Sequence, residues 1–335
     1  MLVYFPVDDL QATTAGGSRA PDSIPPPPVI SVIIPMHNEQ DNLDELFRRL
    51  TPVCEQIGEY EIICVNDGSR DQTMALLMHH HAQNQRIKAI DLSRNFGKEI
   101  ALTAGIDHSS GQAVVPLDAD LQDPPELIHE LVAKWREGYT VVNATRLNRD
   151  GESYFKQLTA RLFYRVFSSI CDIDCPQNTG DFRLLDRTAV TALAGLHERT
   201  RFMKGLFAWV GFRQATVFYN RDPRFAGGTK WNYWQLWNFA LDGITSFTAL
   251  PLKVWTYAGL LVAFFSFLYA SFLIVRVLAY GRDMPGYASI MVVMLFLGGI
   301  QLITLGVLGE YVGRIYNEVK QRPLYLVQRT LGIGD

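Results

Sequence analysis

The sequence predicts an α/β domain built on a mostly parallel sheet, followed by a transmembrane helical hairpin. Three observations carry that expectation. Short apolar, β-branched runs alternate with stretches of helical spacing between Val29 and Thr145, the pattern of a parallel sheet covered on both faces. Polar residues gather where those runs end, and such sheets bind ligands there. Two long uncharged segments of membrane length then close the chain.

The elements follow in order. Gln11 to Pro28 is rich in Thr, Gly, Ser and Pro and ends in Pro25-Pro26-Pro27-Pro28. Residues 1–28 therefore read as a flexible or extended leader. No basic stretch followed by an apolar one stands there, so no signal peptide is expected. The ordered domain is expected over residues 29–230. Val29 to Pro35 reads as the first strand, and Asp41 to Ile57 as a helix with Leu43, Leu46, Phe47 and Leu50 on one face. Glu61 to Asn66 is a second strand and Thr73 to Gln83 a second helix. Lys88 to Leu92 is a third strand and Lys98 to Asp107 a third helix. Ala113 to Asp118 is a fourth strand, Pro124 to Glu137 a further helix, and Thr140 to Thr145 a fifth strand. No internal repeat is found.

Beyond this domain, Trp231 to Phe239 carries three tryptophans, a tyrosine and a phenylalanine, which suits a membrane interface. Residues 231–251 read as an amphipathic helix lying in that plane; the other reading is an aromatic cluster packed on the domain. Pro251 would separate this helix from the first span. Val254 to Ile274 and Ala288 to Leu308 contain no charge. Each run of about 21 residues would cover about 31 Å, against a bilayer core of about 30 Å. With a short polar turn from Gly281 to Gly286 between them, residues 252–310 read as a hairpin, and residues 311–335 as a cytoplasmic tail. With no export signal read there, the domain is expected to stay in the cytoplasm. Lys253, Arg314, Lys320 and Arg322 flank the cytoplasmic ends and Arg276 and Arg282 the far side, so the basic bias itself is weak. Gly309 and Gly313 have the spacing that permits close helix packing, or equally mark a flexible helix end. Pro323 to Val327 is extended in character and is expected to pair with a neighbouring subunit, giving a homo-oligomer.

Composition narrows the function. A net charge of −3 over 335 residues lacks the basic face of a nucleic-acid binder. The four cysteines, Cys54, Cys64, Cys171 and Cys175, form no metal-binding or disulfide pattern and read as reduced, structural thiols.

The strongest chemical signal is Asp118-Ala119-Asp120-Leu121-Gln122-Asp123. In extended chain, residues i and i+2 point to one side, so Asp118 and Asp120 would face one point. Two carboxylates that close repel unless a cation is shared. Mg²⁺ or Mn²⁺ suits them, being hard and commonly held by carboxylates together with substrate phosphates. Asp123 reads as a helix N-cap with Pro124 behind it. Asn66-Asp67-Gly68-Ser69 follows the second strand; Asp67 can accept bonds from a ribose hydroxyl or a base N–H, or simply close an Asx turn.

Several ordered motifs together carry a resemblance: Ile34-Pro35-Met36-His37-Asn38-Glu39, Val65 to Asp71, Ser93-Arg94-Asn95-Phe96-Gly97-Lys98 and Asp118 to Asp123. With Gly180-Asp181-Phe182-Arg183-Leu184 and Phe225 to Trp231, the chain resembles family-two glycosyltransferases of the Rossmann-like GT-A fold. Among these it resembles the polyisoprenyl-phosphate glycosyltransferases, a group that includes dolichol-phosphate mannose synthase and the bactoprenol glucosyltransferases, and its two C-terminal spans are more like the latter. The resemblance implies that Pro35, Asn38, Glu39 and Asp67 line a nucleotide pocket. It implies that Asp118, Asp120 and Gln122 hold Mg²⁺ or Mn²⁺, with Asp118 also on the nucleotide side, and that Asp181 stands where a catalytic base has been proposed. Arg183, Arg201 and Lys230 would bind phosphates of the donor or the lipid acceptor, Arg201 being equally readable as a surface charge. Gly227-Gly228 would let a loop close over the donor and carry Lys230 to the membrane surface.

The implied reaction is inverting transfer of glucose from UDP-glucose, a nucleotide sugar, to undecaprenyl or another polyprenyl phosphate at the inner face of a bacterial plasma membrane. Other donors, such as GDP-mannose or an amino-sugar nucleotide, keep the same chemistry. A catalytically silent scaffold for a flippase is the alternative of another class, and the intact carboxylates argue against it. A phosphate monoester has its second pKa near about 6, so it is largely ionised at neutral pH and needs little proton removal. Asp181 is therefore expected to be less critical than Asp120.

Overall fold

The computed structural model describes residues 28–147, 179–196, 198–199, 201, 203–220, 250–280 and 286–334. Lys230, Gly227-Gly228, the aromatic run after Trp231, Cys171 and Cys175 lie outside the described residues.

Strands β1 (Ile30–Met36), β2 (Tyr60–Asn66), β3 (Ile87–Leu92) and β4 (Ala113–Pro116) pair in parallel around β1. Between them run α1 (Leu43–Ile57), α2 (Thr73–Gln83) and α3 (Lys98–Asp107), each within two residues of its expected bounds. Strand alternation separates two cores. Ile30, Val32 and Ile34 join Leu43, Leu46, Phe47 and Leu50 of α1 on one face. Ile33, Ile63 and Val65 join Ala101, Leu102 and Ala104 of α3 on the other. Burial on both faces explains why these strands read as continuous apolar runs. Helix α3 lies so near β1 that a Cβ on Gly105 would stand 2.1 Å from Ile33 Cγ2. The buried thiols Cys54 and Cys64 are free.

The other half of the sheet departs from simple alternation. A 3₁₀ turn, Pro125–Leu127, leads into α4 (Ile128–Arg136) and then β5 (Val141–Arg146). Strand β6 (Thr179–Asp186) follows, then α5 (Arg187–Ala194), α6 (Met203–Trp209) and β7 (Gln214–Tyr219). β6 is antiparallel to both β4 and β5, and β7 is parallel to β5.

After α7 (Leu250–Tyr280) and α8 (Tyr287–Val319), the strand β8 (Val327–Leu331) returns to the domain and pairs antiparallel with β3. The sheet thus has eight strands in the order β7-β5-β6-β4-β1-β2-β3-β8. This corrects the reading of the tail: its extended segment covers an edge of the chain's own sheet. Tyr325 secures it by donating to Asp107 at 3.0 Å, and Arg329 pairs with Asp91 at 2.9 Å.

Helices α7 and α8 expose large apolar side chains along their length, among them Phe264, Phe267, Leu278, Leu302 and Val319. Phe296–Val319 is long and apolar enough to cross a membrane, whereas the apolar helical run Tyr257–Tyr269 is shorter. Pro251 is helical, the second described residue of α7. Among the described residues, a Cβ added at Gly309 or Gly313 would meet nothing within 4 Å.

Candidate active site

The loops that leave the carboxyl ends of the strands build one continuous edge. Asp67, just past β2, organises it. Its carboxylate is buried and accepts from the backbone N–H of Phe96 at 2.7 Å and of Gly97 at 2.9 Å. A residue expected to face a nucleotide therefore also pins the loop that opens α3. Gly68 is needed beside it. Its φ is +64°, and a Cβ there would lie 2.5 Å from the backbone of Arg94 and Asn95.

The loop after β1 is laced to the same region. Asn38, with φ 55°, donates its N–H to Ser69 Oγ at 2.9 Å and accepts from the Arg70 N–H at 2.9 Å. The Glu39 N–H donates to Thr73 Oγ1 at 3.0 Å, and its carboxylate accepts from Asn42 at 2.7 Å. Pro35 pairs with Val65 within the β1–β2 ladder. Pro35, Asn38, Glu39 and Asp67 thus stand on adjacent elements at one edge.

Strand β4 ends at Pro116, two residues earlier than expected, because Ala119-Asp120 forms a turn. Strand alternation therefore does not govern Asp118 and Asp120. Leu121 closes the turn with φ 60°, a costly conformation for a bulky residue, and of the kind found at functional sites. The Asp120 carboxylate accepts from the Gln122 N–H at 3.2 Å. Asp123 does not cap the next helix. Pro124 holds the cap position without a side-chain bond, while buried Asp123 accepts from the Tyr219 hydroxyl and pairs with Arg146 at 3.4 Å.

Asp118 meets a residue more than sixty positions away. Strand β6, which carries Asp181, lies beside β4 with Ala113 paired to Asp186 and Val114 to Leu185, so Asp181 stands on the strand next to the one that leads to Asp118. Between them stands Lys98, the first residue of α3. Its ammonium lies 2.7 Å from Asp118 Oδ1, 2.9 Å from Asp118 Oδ2 and 2.7 Å from Asp181 Oδ2. Burial alone would lower the Lys98 pKa, but Asp118 and Asp181 outweigh it and hold the ammonium well above its ordinary value. With 40% of the Lys98 side chain exposed, solvent screens much of this attraction.

Two cations here were missed by sequence reasoning. Lys98 was visible only as the end of the Ser93–Lys98 motif. Arg146 ends β5 and donates to the Tyr219 hydroxyl at 3.1 Å. Burial would lower its pKa, but Asp123, then Tyr219 and Asp118, hold it above its ordinary value.

Of the expected phosphate ligands among the described residues, Arg183 is enclosed by protein and Arg201 is half-buried. Arg183 is buried, donates to the Gly180 carbonyl at 2.7 Å and lies 4.2 Å over the Phe207 ring. Arg201 donates to the Leu196 carbonyl at 2.6 Å. Its pKa is lowered by burial, against Asp107, Glu198 and Glu318, which act to raise it. That setting belongs to the far end of α3, about 14 Å along the helix from Lys98 at 1.5 Å per residue.

Among the described residues, no group of three or more His, Cys, Asp or Glu side chains is placed to hold a metal ion. Asp118, Asp120 and Gln122 nevertheless offer a hard oxygen donor set, and Asp118 already accepts a cation. That chemistry fits a divalent ion whose remaining ligands come from a substrate phosphate.

Comparison with known proteins shows the family. A family description, glycosyl transferase family 2, matches residues 31–193, and the GtrB C-terminal hairpin matches residues 250–315. An uncharacterized glycosyltransferase of Synechocystis is 62% identical over 305 residues, 91% of this chain and 96% of that protein. The prophage-derived bactoprenol glucosyl transferase of Shigella flexneri is 45% identical over 302 residues, 90% of this chain and 98% of that one. A prophage bactoprenol glucosyl transferase homolog of Escherichia coli is 43% identical, with the same two shares. The chain belongs to glycosyltransferase family 2 and carries the C-terminal hairpin of its GtrB members.

Proposed function

We propose that this glycosyltransferase moves one glucose from UDP-glucose to a polyprenyl phosphate at the cytoplasmic face of a bacterial plasma membrane, inverting the anomeric centre. The observation that carries the reading is the meeting of Asp118 and Asp181 on one cation at the carboxyl edge of the sheet. The sugar and the lipid are those in the names of relatives that match almost end to end. The exposed apolar faces of α7 and α8 support a two-span hairpin, with the 231–251 segment in the interface and the active site at the lipid headgroups.

In this reading Pro35, Asn38, Glu39 and Asp67 bound the nucleotide pocket. Asp118, Asp120 and Gln122 would hold Mg²⁺ or Mn²⁺, which would supply positive charge against the leaving diphosphate. The acceptor phosphate oxygen attacks the sugar C1 as the bond to UDP breaks, and Asp181 orients the acceptor side. Lys230 keeps its proposed phosphate contact by its place before the interfacial segment, whereas Arg183 and Arg201, turned onto protein carbonyls, would have to exchange those bonds to reach a phosphate.

A panel of radiolabelled nucleotide sugars offered with undecaprenyl phosphate and Mg²⁺ or Mn²⁺ tests the proposal. Label from UDP-glucose should enter the lipid extract. Label from a different nucleotide sugar would overturn the donor, and no labelled lipid from any would overturn the activity.

A further inference from the structure

Resting on that reading, we propose that Lys98 is an exchangeable counter-cation. Its ammonium occupies the cation position between Asp118 and Asp181 while the site is empty, and leaves Asp118 when the divalent ion and donor bind.

Charge sets these occupancies against each other. Lys98 Nζ engages both oxygens of Asp118, at 2.7 and 2.9 Å. A divalent ion ligated by those oxygens would stand against the ammonium, and repulsion between the two cations would drive the ammonium off Asp118. Two carboxylates that approach one another need a shared cation, and without Lys98 the empty site would set Asp118 against Asp181. The backbone of Lys98 is held firmly: Asp67 fixes the Gly97 N–H, and Gly105 seats α3 tightly on β1. Freedom to move therefore lies in the four-carbon stem, which is flexible and 40% exposed. A partly exposed ammonium–carboxylate pair is held weakly, whereas a divalent ion suits hard oxygens better. The displaced ammonium, still beside Asp181, then donates to a phosphate oxygen of the bound diphosphate.

Mn²⁺ titration of the full-length protein, with free ion read by electron paramagnetic resonance, separates the possibilities. Without nucleotide, Lys98→Met should bind Mn²⁺ about tenfold more tightly than the unmodified chain, because a competing charge is gone. Lys98→Gln should do the same, and Lys98→Arg should not. With UDP present the order should reverse, since the ammonium then serves the diphosphate. Equal Mn²⁺ binding without nucleotide would overturn the exchange while leaving the metal assignment intact. Tighter binding by Lys98→Met both with and without UDP would overturn it too, since a fixed repelling charge behaves that way. Failure of every protein to bind Mn²⁺, even with UDP, would overturn the exchange and the metal assignment together.

Discussion

Asp67 and Asp118 follow the two strands that flank β1, yet the fold treats them oppositely. Asp67 is 3% exposed and satisfied by two backbone N–H groups. The Asp118 side chain is 28% exposed and satisfied by a lysine ammonium. Backbone partners cannot leave without unfolding a loop, whereas a side-chain partner can swing away. One carboxylate therefore builds the site, and the other is available for chemistry. The same residue type serves both ends because its partner, not its own identity, decides its role.

The sharpest way to break this contrast is Asp120→Asn, beside Asp118. Transfer should fall about a hundredfold or more, the scale of losing one preorganised electrostatic stabiliser, while thermal stability stays within about 0.5 kcal/mol. Retained transfer would contradict the metal assignment. Asp67→Ala should do the reverse. It strands two N–H groups, at about 1–3 kcal/mol each if they stay dry, so the urea midpoint should drop together with activity. An unchanged midpoint would show that Asp67 does not build the loop.

Gly68→Ala tests the same end without touching a charge. Its Cβ would stand 2.5 Å from backbone atoms of Arg94 and Asn95, and overpacking of this kind costs about 1–3 kcal/mol. Stability equal to the parent would mean that the two loops are not locked together. The smallest effect is expected from Asp181→Asn. An acceptor phosphate already ionised near neutral pH needs no strong base, so turnover should fall by less than about tenfold. Complete loss with donor binding intact would make Asp181 a required base.

Much of this was legible in the sequence. Periodicity placed β1 to β5 and α1 to α3, because each pattern is local and each element buries a defined face. The acidic loop and the Asn66–Ser69 turn stood out because strand ends in parallel sheets carry ligands. What escaped was of another kind. Strand β6 was seen only as a motif, and its antiparallel pairing with β4 has no local signature. Asp123 looked like an N-cap because Pro124 follows it, but tertiary contact with Tyr219 and Arg146 claimed it instead. The tail looked ready for another subunit until β8 was seen on β3.

The α/β class, the long apolar helices that follow the domain, and the carboxylates at strand ends can be read from local pattern, because they follow from spacing within a few residues and from the length of apolar runs. That Asp118 and Asp181 share Lys98, and that Asp67 holds Lys98's loop, came from the folded arrangement. Those pairings join residues from about twenty to over eighty positions apart, and they depend on strand order and register. Register emerges from the packing of whole faces against each other, so no single stretch of chain encodes it.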